Sequence, residues 1–377
     1  TMRAIAQSLA VKSLQMEDDQ LQALLAYLGF KFNINNEGYD SNNDVYNGLF
    51  YAVKNFDPDY YNAFKSKSSD VRSLQFVQDK FLYTTGTSGR INAWEVENMT
   101  AKRSIVIFEE EGVFVKKIFV DKNNQKLVAL TDGSEFYVID ISKRIRTVDK
   151  YSLPGSYAFD VTFMEGSTDF YLSASDNMIY QFKGNELSPF IDTNSRIYDM
   201  EVINENLLAT GNNNGKIEIW DTNEKRSKII IREANNKYIH SLAIGNGILA
   251  SGDNSGQVTL FYLDENFNTK NSISLRGSDG EIMTDITFNE AENQVISAST
   301  KGTIRMWNLK DPDEFPMIIN EPGSWVNAIA LMDKNHIFAG CKDQVFRLYP
   351  IKSEILAETL KNKIRRDITP EEWDRYI

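Results

Sequence analysis

The sequence predicts an all-β chain built from seven similar four-stranded sheets set around an axis, with helical flanks at both ends. Three observations carry this reading. Segments 87–94, 213–220, 254–261 and 300–307 align without a gap, and in each a glycine (Gly89, Gly215, Gly256, Gly302) stands five positions before an aromatic (Trp94, Trp220, Phe261, Trp307). A glycine at that point suits the positive φ of a tight hairpin turn, and the strand after it alternates inward and outward. Before each lies a run of small residues, at 82–86, 208–211, 249–252 and 295–299, which lets neighbouring sheets pack closely. Weaker copies fill the gaps at 127–139, 171–182 and 337–349. The anchors are then Trp94, Ile139, Phe182, Trp220, Phe261, Trp307 and Tyr349, spaced by 45, 43, 38, 41, 46 and 42 residues. That is the period of about 40–45 residues expected of a four-stranded propeller blade. Seven units predict a seven-bladed β-propeller.

Composition agrees with one large globular body. The 377 residues carry 41 Lys+Arg against 53 Asp+Glu, a net charge of −12, with 42% hydrophobic residues. The 17 Tyr and 22 Phe favour strands, and eight Pro leave few breaks. No apolar run is long enough to span a membrane. A single cysteine, Cys341, excludes an internal disulfide and a Cys-based zinc site. The acidic balance disfavours a general nucleic-acid binder, since phosphates would meet net repulsion.

The flanks read as helix. Ile5, Leu9, Leu14, Leu21, Leu24, Leu25 and Leu28 recur at helical spacing, predicting a helix over 2–28 with Glu17, Asp18 and Asp19 off its stripe. Residues 33–43 are polar and turn-like, and a second helix is expected over 44–55, ending before Pro58. At the other end Ser353 can cap a helix reaching about Arg366, with Lys361, Lys363, Arg365 and Arg366 basic in its last turns. Thr369-Pro370-Glu371-Glu372 has the cap, the first-turn proline and the acidic residues of a helix start. The expected organisation is a helical connector over 1–58, the propeller over 59–352 and a helical tail over 353–377. The extended segment 61–65 is the natural strand to pair with the last blade and remove its free edge.

Two resemblances follow from these residues. The Gly-x-Ile-x-x-Trp pattern, with Asp221 after Trp220, resembles the WD-repeat proteins over about residues 60–352. No blade has the Gly-His dipeptide of that family, so its internal Asp-His-Ser-Trp network cannot be complete here. The flanking segments 6–14, 21–26, 46–54 and 369–376 resemble the connector and terminus of large bacterial STAND-type signalling NTPases. There the connector joins an NTPase region, often through a transmembrane helix, to a C-terminal propeller. This resemblance implies the sensor end of a longer protein, cytoplasmic by default and periplasmic if the parent has an upstream transmembrane helix.

The inventory for chemistry is thin, and no catalytic, metal-binding or cofactor residues are assigned. His336, in the turn 333–336, reads as an exposed surface residue, and Cys341 as a small buried apolar group. Gly245, Gly247 and Gly252 lack the spacing of a dinucleotide fingerprint. The acidic turns 311–314 and 121–124 lack a calcium-loop pattern and read as solvated.

Binding is the better expectation. One row of positions stands just before each inner strand: Asp70, Phe114, Tyr157, Arg196, Tyr238, Ile282 and Trp325. A second row follows two residues on: Arg72, Lys116, Phe159, Tyr198, His240, Thr284 and Asn327. In WD-repeat proteins these positions line the top face at the channel mouth, and aromatic and Arg residues dominate binding hot spots. Phe114, Tyr157, Arg196, Tyr238, His240 and Trp325 are therefore the candidate partner-binding residues, for a protein or peptide ligand. The competing readings are packing between blades for individual residues, a small-molecule or glycan site in the channel, and a scaffold without a discrete ligand.

Overall fold

All seven anchors fall on the third strand of a four-stranded antiparallel sheet, each opposite an apolar residue of the second strand. The pairs are Leu82–Trp94, Leu127–Ile139, Phe170–Phe182, Leu208–Trp220, Leu249–Phe261, Val295–Trp307 and Ile337–Tyr349. The computed structural model describes residues 2–38, 42–56, 63–67, 70–143, 145–275, 280–320 and 324–377. Its strands form seven sheets, the blades, over residues 73–109, 115–152, 158–192, 197–232, 239–274, 283–320 and 326–350. The inner strands of successive blades pack in a closed ring, blade 7 returning onto blade 1. The seven-bladed propeller is thus the fold.

The turn glycines act as expected. Gly89, Gly215, Gly256 and Gly302 have φ of 68°, 90°, 87° and 82°. In the degenerate copies Asn177 and Gln344 take the same place with φ of 68° and 69°, so the turn outlasts its glycine. The small-residue second strands also serve the packing proposed for them. A Cβ on Gly340 would come within 2.6 Å of Val71 on the neighbouring blade. Part of the internal side-chain network is kept: the indole N–H of Trp94 donates to Thr84, and that of Trp220 to Thr210, each at 2.9 Å.

Blade 7 has three strands of its own, and its fourth is Phe64–Lys65. Phe64 pairs with Phe346 and Lys65 with Val345, and the two Phe rings stack 5.0 Å apart. The ends of the chain therefore meet in one sheet. Residues 61 and 62 of the expected closing strand lie outside the described residues.

The flanks depart from expectation in detail. Residues 2–28 form two helices, α1 (Met2–Ser13) and the start of α2 (Asp19–Asn35). The break comes from the acidic residues read as an exposed face: Asp18 caps α2, its carboxylate accepting the Leu21 N–H at 2.6 Å. α1 then folds back, and Gly29 lets it approach until a Cβ there would lie 2.9 Å from the Ala6 carbonyl oxygen. α2 also runs on through Asn35, past the polar turn expected from residue 33, because Phe30 continues the buried stripe and Asn33 is itself buried.

α3 (Asn43–Phe56) follows, then after the propeller α4 (Ser353–Lys361) and α5 (Pro370–Tyr376). α4 stops five residues before Arg366. Gln20 of α2 occupies the backbone beyond it, accepting the Arg365 N–H at 2.9 Å and donating to the Lys363 carbonyl at 3.3 Å. The basic residues Lys363, Arg365 and Arg366 thus lie outside the helix, with Arg366 paired to Glu372 at 2.7 Å. α5 begins with the expected cap, Thr369 and Glu372 bonding each other's backbone reciprocally.

Both flanks form one attachment on blades 6 and 7. Val45, Tyr46, Leu49, Phe50 and Val53 of α3 share a core with Met317 and Ile319 of blade 6, Tyr349 of blade 7 and Leu356 of α4. The Tyr46 hydroxyl donates to the Pro350 carbonyl at 2.8 Å, and Asn43 accepts the Ile318 N–H at 2.9 Å. Lys12 of α1 reaches the Tyr376 carbonyl at 2.8 Å.

His336 corrects the sequence reading. It opens the strand His336–Cys341 and is only 8% exposed, with Nδ1 3.0 Å from the Asp333 carboxylate. The turn is tight enough to fold the ring beneath it. Cys341 is buried, as expected.

Candidate binding face

The geometry of the upper face comes from one irregularity repeated six times. In blades 2 to 7 the pairing of the first two strands skips one residue of the inner strand: Lys116, Phe159, Tyr198, His240, Thr284 and Asn327. A β-bulge re-aims the side chain of its extra residue. All six are half-buried, between a fully buried residue before and the channel wall after. Two residues upstream, the carbonyls of Phe114, Tyr157, Arg196, Tyr238, Ile282 and Trp325 each accept an N–H from the end of the second strand, at 2.9–3.1 Å. That bond fixes the backbone and leaves the side chains outside: Phe114, Tyr157, Tyr238, Ile282 and Trp325 are 38–52% exposed, and Arg196 is exposed with them.

On blades 3 to 5 the two rows join. Tyr157 meets Phe159 edge to face at 5.1 Å, and Phe159 meets Tyr198 at 4.8 Å and 89°. Tyr198 lies 6.0 Å from Tyr238 and parallel to His240 at 6.1 Å. The Lys116 ammonium covers the start of this arc, 5.2 Å from Tyr157 and 5.7 Å from Phe159. Burial lowers its pKa to about 8, against the pull of Asp132. Burial, then the nearby Lys117 charge, lowers the His240 pKa, so its ring is neutral at pH 7.

Below the arc the channel wall carries a third row: Ser73, Lys117, Asp160, Asp199, Ser241, Asp285 and Ala328. Five of these accept a backbone N–H from the next blade: Ser73 from Ile118 (3.2 Å), Asp160 from Met200 (2.8 Å), Asp199 from Leu242 (2.6 Å), Ser241 from Ile286 (3.0 Å) and Asp285 from Ile329 (2.9 Å). Their first role is to sew the ring. Lys117 cannot accept, and instead reaches Asp160 on the next blade at 3.1 Å and Asp199 on the one after at 3.6 Å. Burial works against its charge, but the two carboxylates outweigh that and raise its pKa. Burial raises Asp160 and Asp199, takes Asp285 to about 6, and with the Asp160 and Asp285 charges takes Glu201 to about 8. These groups line a cavity of about 650 Å³ along the axis. Among the described residues no group of three or more His, Cys, Asp or Glu side chains is arranged to hold a metal ion.

The model of the family described as Nucleolar protein 10-like, N-terminal domain, matches residues 63–351. The chain belongs to this family. No curated protein matches the sequence. The match spans all seven blades of the Nucleolar protein 10-like propeller, from just before the closing strand to just after the last, and leaves out α1–α3, α4 and α5. No helix among the described residues is long and apolar enough to cross a membrane.

Of the candidate residues on this Nucleolar protein 10-like propeller, Tyr157, Tyr238 and His240 come together in the arc, with Arg196 between them on blade 4. Phe114 stands one blade earlier, outside the ring contacts. Trp325 is across the face on blade 7, 47% exposed, with the Lys342 ammonium 4.0 Å over one side of its indole. Its neighbour Ser324 is buried and accepts the Asp343 N–H at 3.1 Å, while Gly323 lies outside the described residues. Sequence reading passed over Lys117, Asp160, Asp199, Glu201 and Asp285. A signal existed: the residue after the second row is polar in six of the seven blades.

Proposed function

We propose that this propeller is a non-catalytic module that binds a protein or peptide on the face carrying the bulged row. The repeated bulge supports this: it aims six side chains at the channel mouth while the row before them keeps large apolar groups in solvent. Exposed rings held by a fixed backbone have little motion left to lose, which is how hot spots contribute affinity. The flanks support a further step. They form one attachment against the closing blade, and their resemblance to a STAND-type connector fits a sensor or scaffold end of a larger bacterial signalling protein, where occupancy would be passed through α1–α4. On this reading the protein shows no hydrolytic or redox turnover and no affinity for nucleic acid.

The test is recovery of a partner by pull-down, followed by titration. Trp325→Ala and Arg196→Ala should each weaken binding, the first by about 2 kcal/mol or more. Lys334→Ala, on an exposed turn at the opposite end of the blade, should leave it unchanged. Equal affinity for all three would place the binding surface elsewhere. A second reading, a small-molecule site in the channel, has the converging Asp160, Asp199, Glu201 and Asp285 in its favour. A ligand whose affinity depends on Glu201 but not on Trp325 or Arg196 would select it.

A further inference from the structure

We propose that the arc on blades 2 to 5 selects an acidic peptide, with Lys116 and Arg196 as its carboxylate contacts and the Tyr157–Phe159–Tyr198–Tyr238 rings as its apolar floor. This rests on the upper-face reading above and narrows it to one sector and one ligand chemistry. The first observation is charge. The chain carries −12 overall, yet Lys116, Arg196 and Lys237 all lie on or beside the arc, and none has an ion-pair partner among the described residues. Asp132, the acid that acts on Lys116, is itself paired with Arg72 at 3.3 Å. Three cations without an ion-pair contact on an acidic molecule make a local site for negative charge.

The second observation is desolvation. Lys116 is held over two rings, and of the charges that act on it Asp132 favours its protonated form while Lys117 opposes it. An incoming carboxylate would restore what burial removed from its charged form, so binding and protonation of Lys116 reinforce each other.

The rings argue for a peptide over single-stranded nucleic acid. Phe159 meets Tyr157 and Tyr198 at steep angles, 66° and 89°, so around it the arc presents no row of parallel faces on which successive bases would stack. A polyphosphate would also feel the whole negative field of the molecule, whereas a few carboxylates among apolar side chains would feel mainly the arc.

A random peptide library on phage, panned against the full chain, supplies probes. The enriched peptides should be rich in Asp and Glu with interspersed apolar residues. Their Glu→Gln versions should bind the wild type at least about tenfold more weakly, and Lys116→Gln and Arg196→Gln should each lose about tenfold for the acidic peptides. Affinity should fall with added salt, and fall as pH rises through about 8 in the wild type but not in Lys116→Gln. Peptides that need Tyr238 but bind equally as Gln versions would overturn the acidic preference and leave the face intact. Peptides indifferent to Tyr238→Ala, Tyr157→Ala and Arg196→Gln would overturn the face as well. Failure to enrich any peptide, or an oligothymidylate that binds more tightly than the peptides and is lost in Tyr238→Ala, would overturn the peptide assignment.

Discussion

Glu281 and Glu201 show how differently two carboxyls out of bulk water can behave in one propeller. Glu281, at the start of blade 6, accepts from both terminal nitrogens of Arg305 at 3.0 Å, from Ser299 at 2.5 Å and from Thr303 at 3.0 Å. Burial opposes its charge, but the Arg305 and Ser299 hydrogen bonds win and lower its pKa to about 2. A folded pKa below the unfolded one contributes stability above about pH 4.5 that is lost as pH falls towards 2. Glu281→Gln should cost about 3–5 kcal/mol at neutral pH, the usual result of stranding a buried guanidinium, and should flatten the acid limb of stability. Denaturant melts at neutral and acid pH check both. Glu201 has the opposite sign. Its pKa of about 8 lies above the unfolded value, so the folded state disfavours its ionised form and stability falls as pH rises from about 4.5 to about 8. Glu201→Gln should therefore raise the melting temperature at pH 8, by an amount worth at least about 1 kcal/mol, and change nothing below pH 4. An unchanged melting temperature at pH 8 would mean that the ionised carboxylate is well solvated by the channel.

Among the elements, α3 couples the flanks to the propeller. One face of it meets α1 and α2, and the other meets blade 6 and α4. Phe50 is 2% exposed between the two and stacks on Tyr46 at 5.6 Å. Phe50→Ala should cost about 3–5 kcal/mol and release the helical attachment before the blades unfold. Limited proteolysis would then cut within 2–56 while 73–320 stays protected. Cleavage spread evenly over both would mean that helices and propeller unfold as one unit. The bulged inner strands act at the same scale. One extra residue in each of blades 2 to 7 takes Lys116, Phe159, Tyr198 and His240 out of the ladder and brings Asp160 and Asp199 round to the next blade's N–H groups.

At the scale of the molecule the decisive contact is between residues far apart in sequence. Phe64 and Phe346 close the ring by stacking in blade 7, beside Trp94 of blade 1, whose indole meets Phe346 at 5.0 Å. Closure converts seven sheets that touch their neighbours into one body without an end. Phe64→Ala should lower stability by about 2 kcal/mol, since the ring is only partly buried. Its signature is location: hydrogen exchange should quicken in blades 7 and 1 before blades 3 to 5. Uniform quickening would show that the closing strand adds stability without acting as the latch.

The blade count, the hairpin turns and the small-residue strands were readable in the chain, because each is a short-range pattern repeated at a fixed period. The anchors Trp94 to Tyr349 needed only spacing. The candidate row was readable for the same reason, since Phe114, Tyr157, Arg196, Tyr238 and Trp325 hold one and the same position in five of the seven repeats. What the repeat could not reveal was the company each residue keeps. Asp18 became a helix cap and not a charged face because α2 had somewhere to pack, and His336 went inside because its turn closed over it. Lys117, Asp160, Asp199 and Asp285 hold one polar position in blades 2, 3, 4 and 6, and Glu201 stands two residues further on in blade 4, but that pattern does not say which charges meet. Packing the inner strands around one axis brought their charges within reach of one another. Local geometry follows from neighbouring residues, whereas electrostatics and burial depend on distance through space, and that distance was set by the circle.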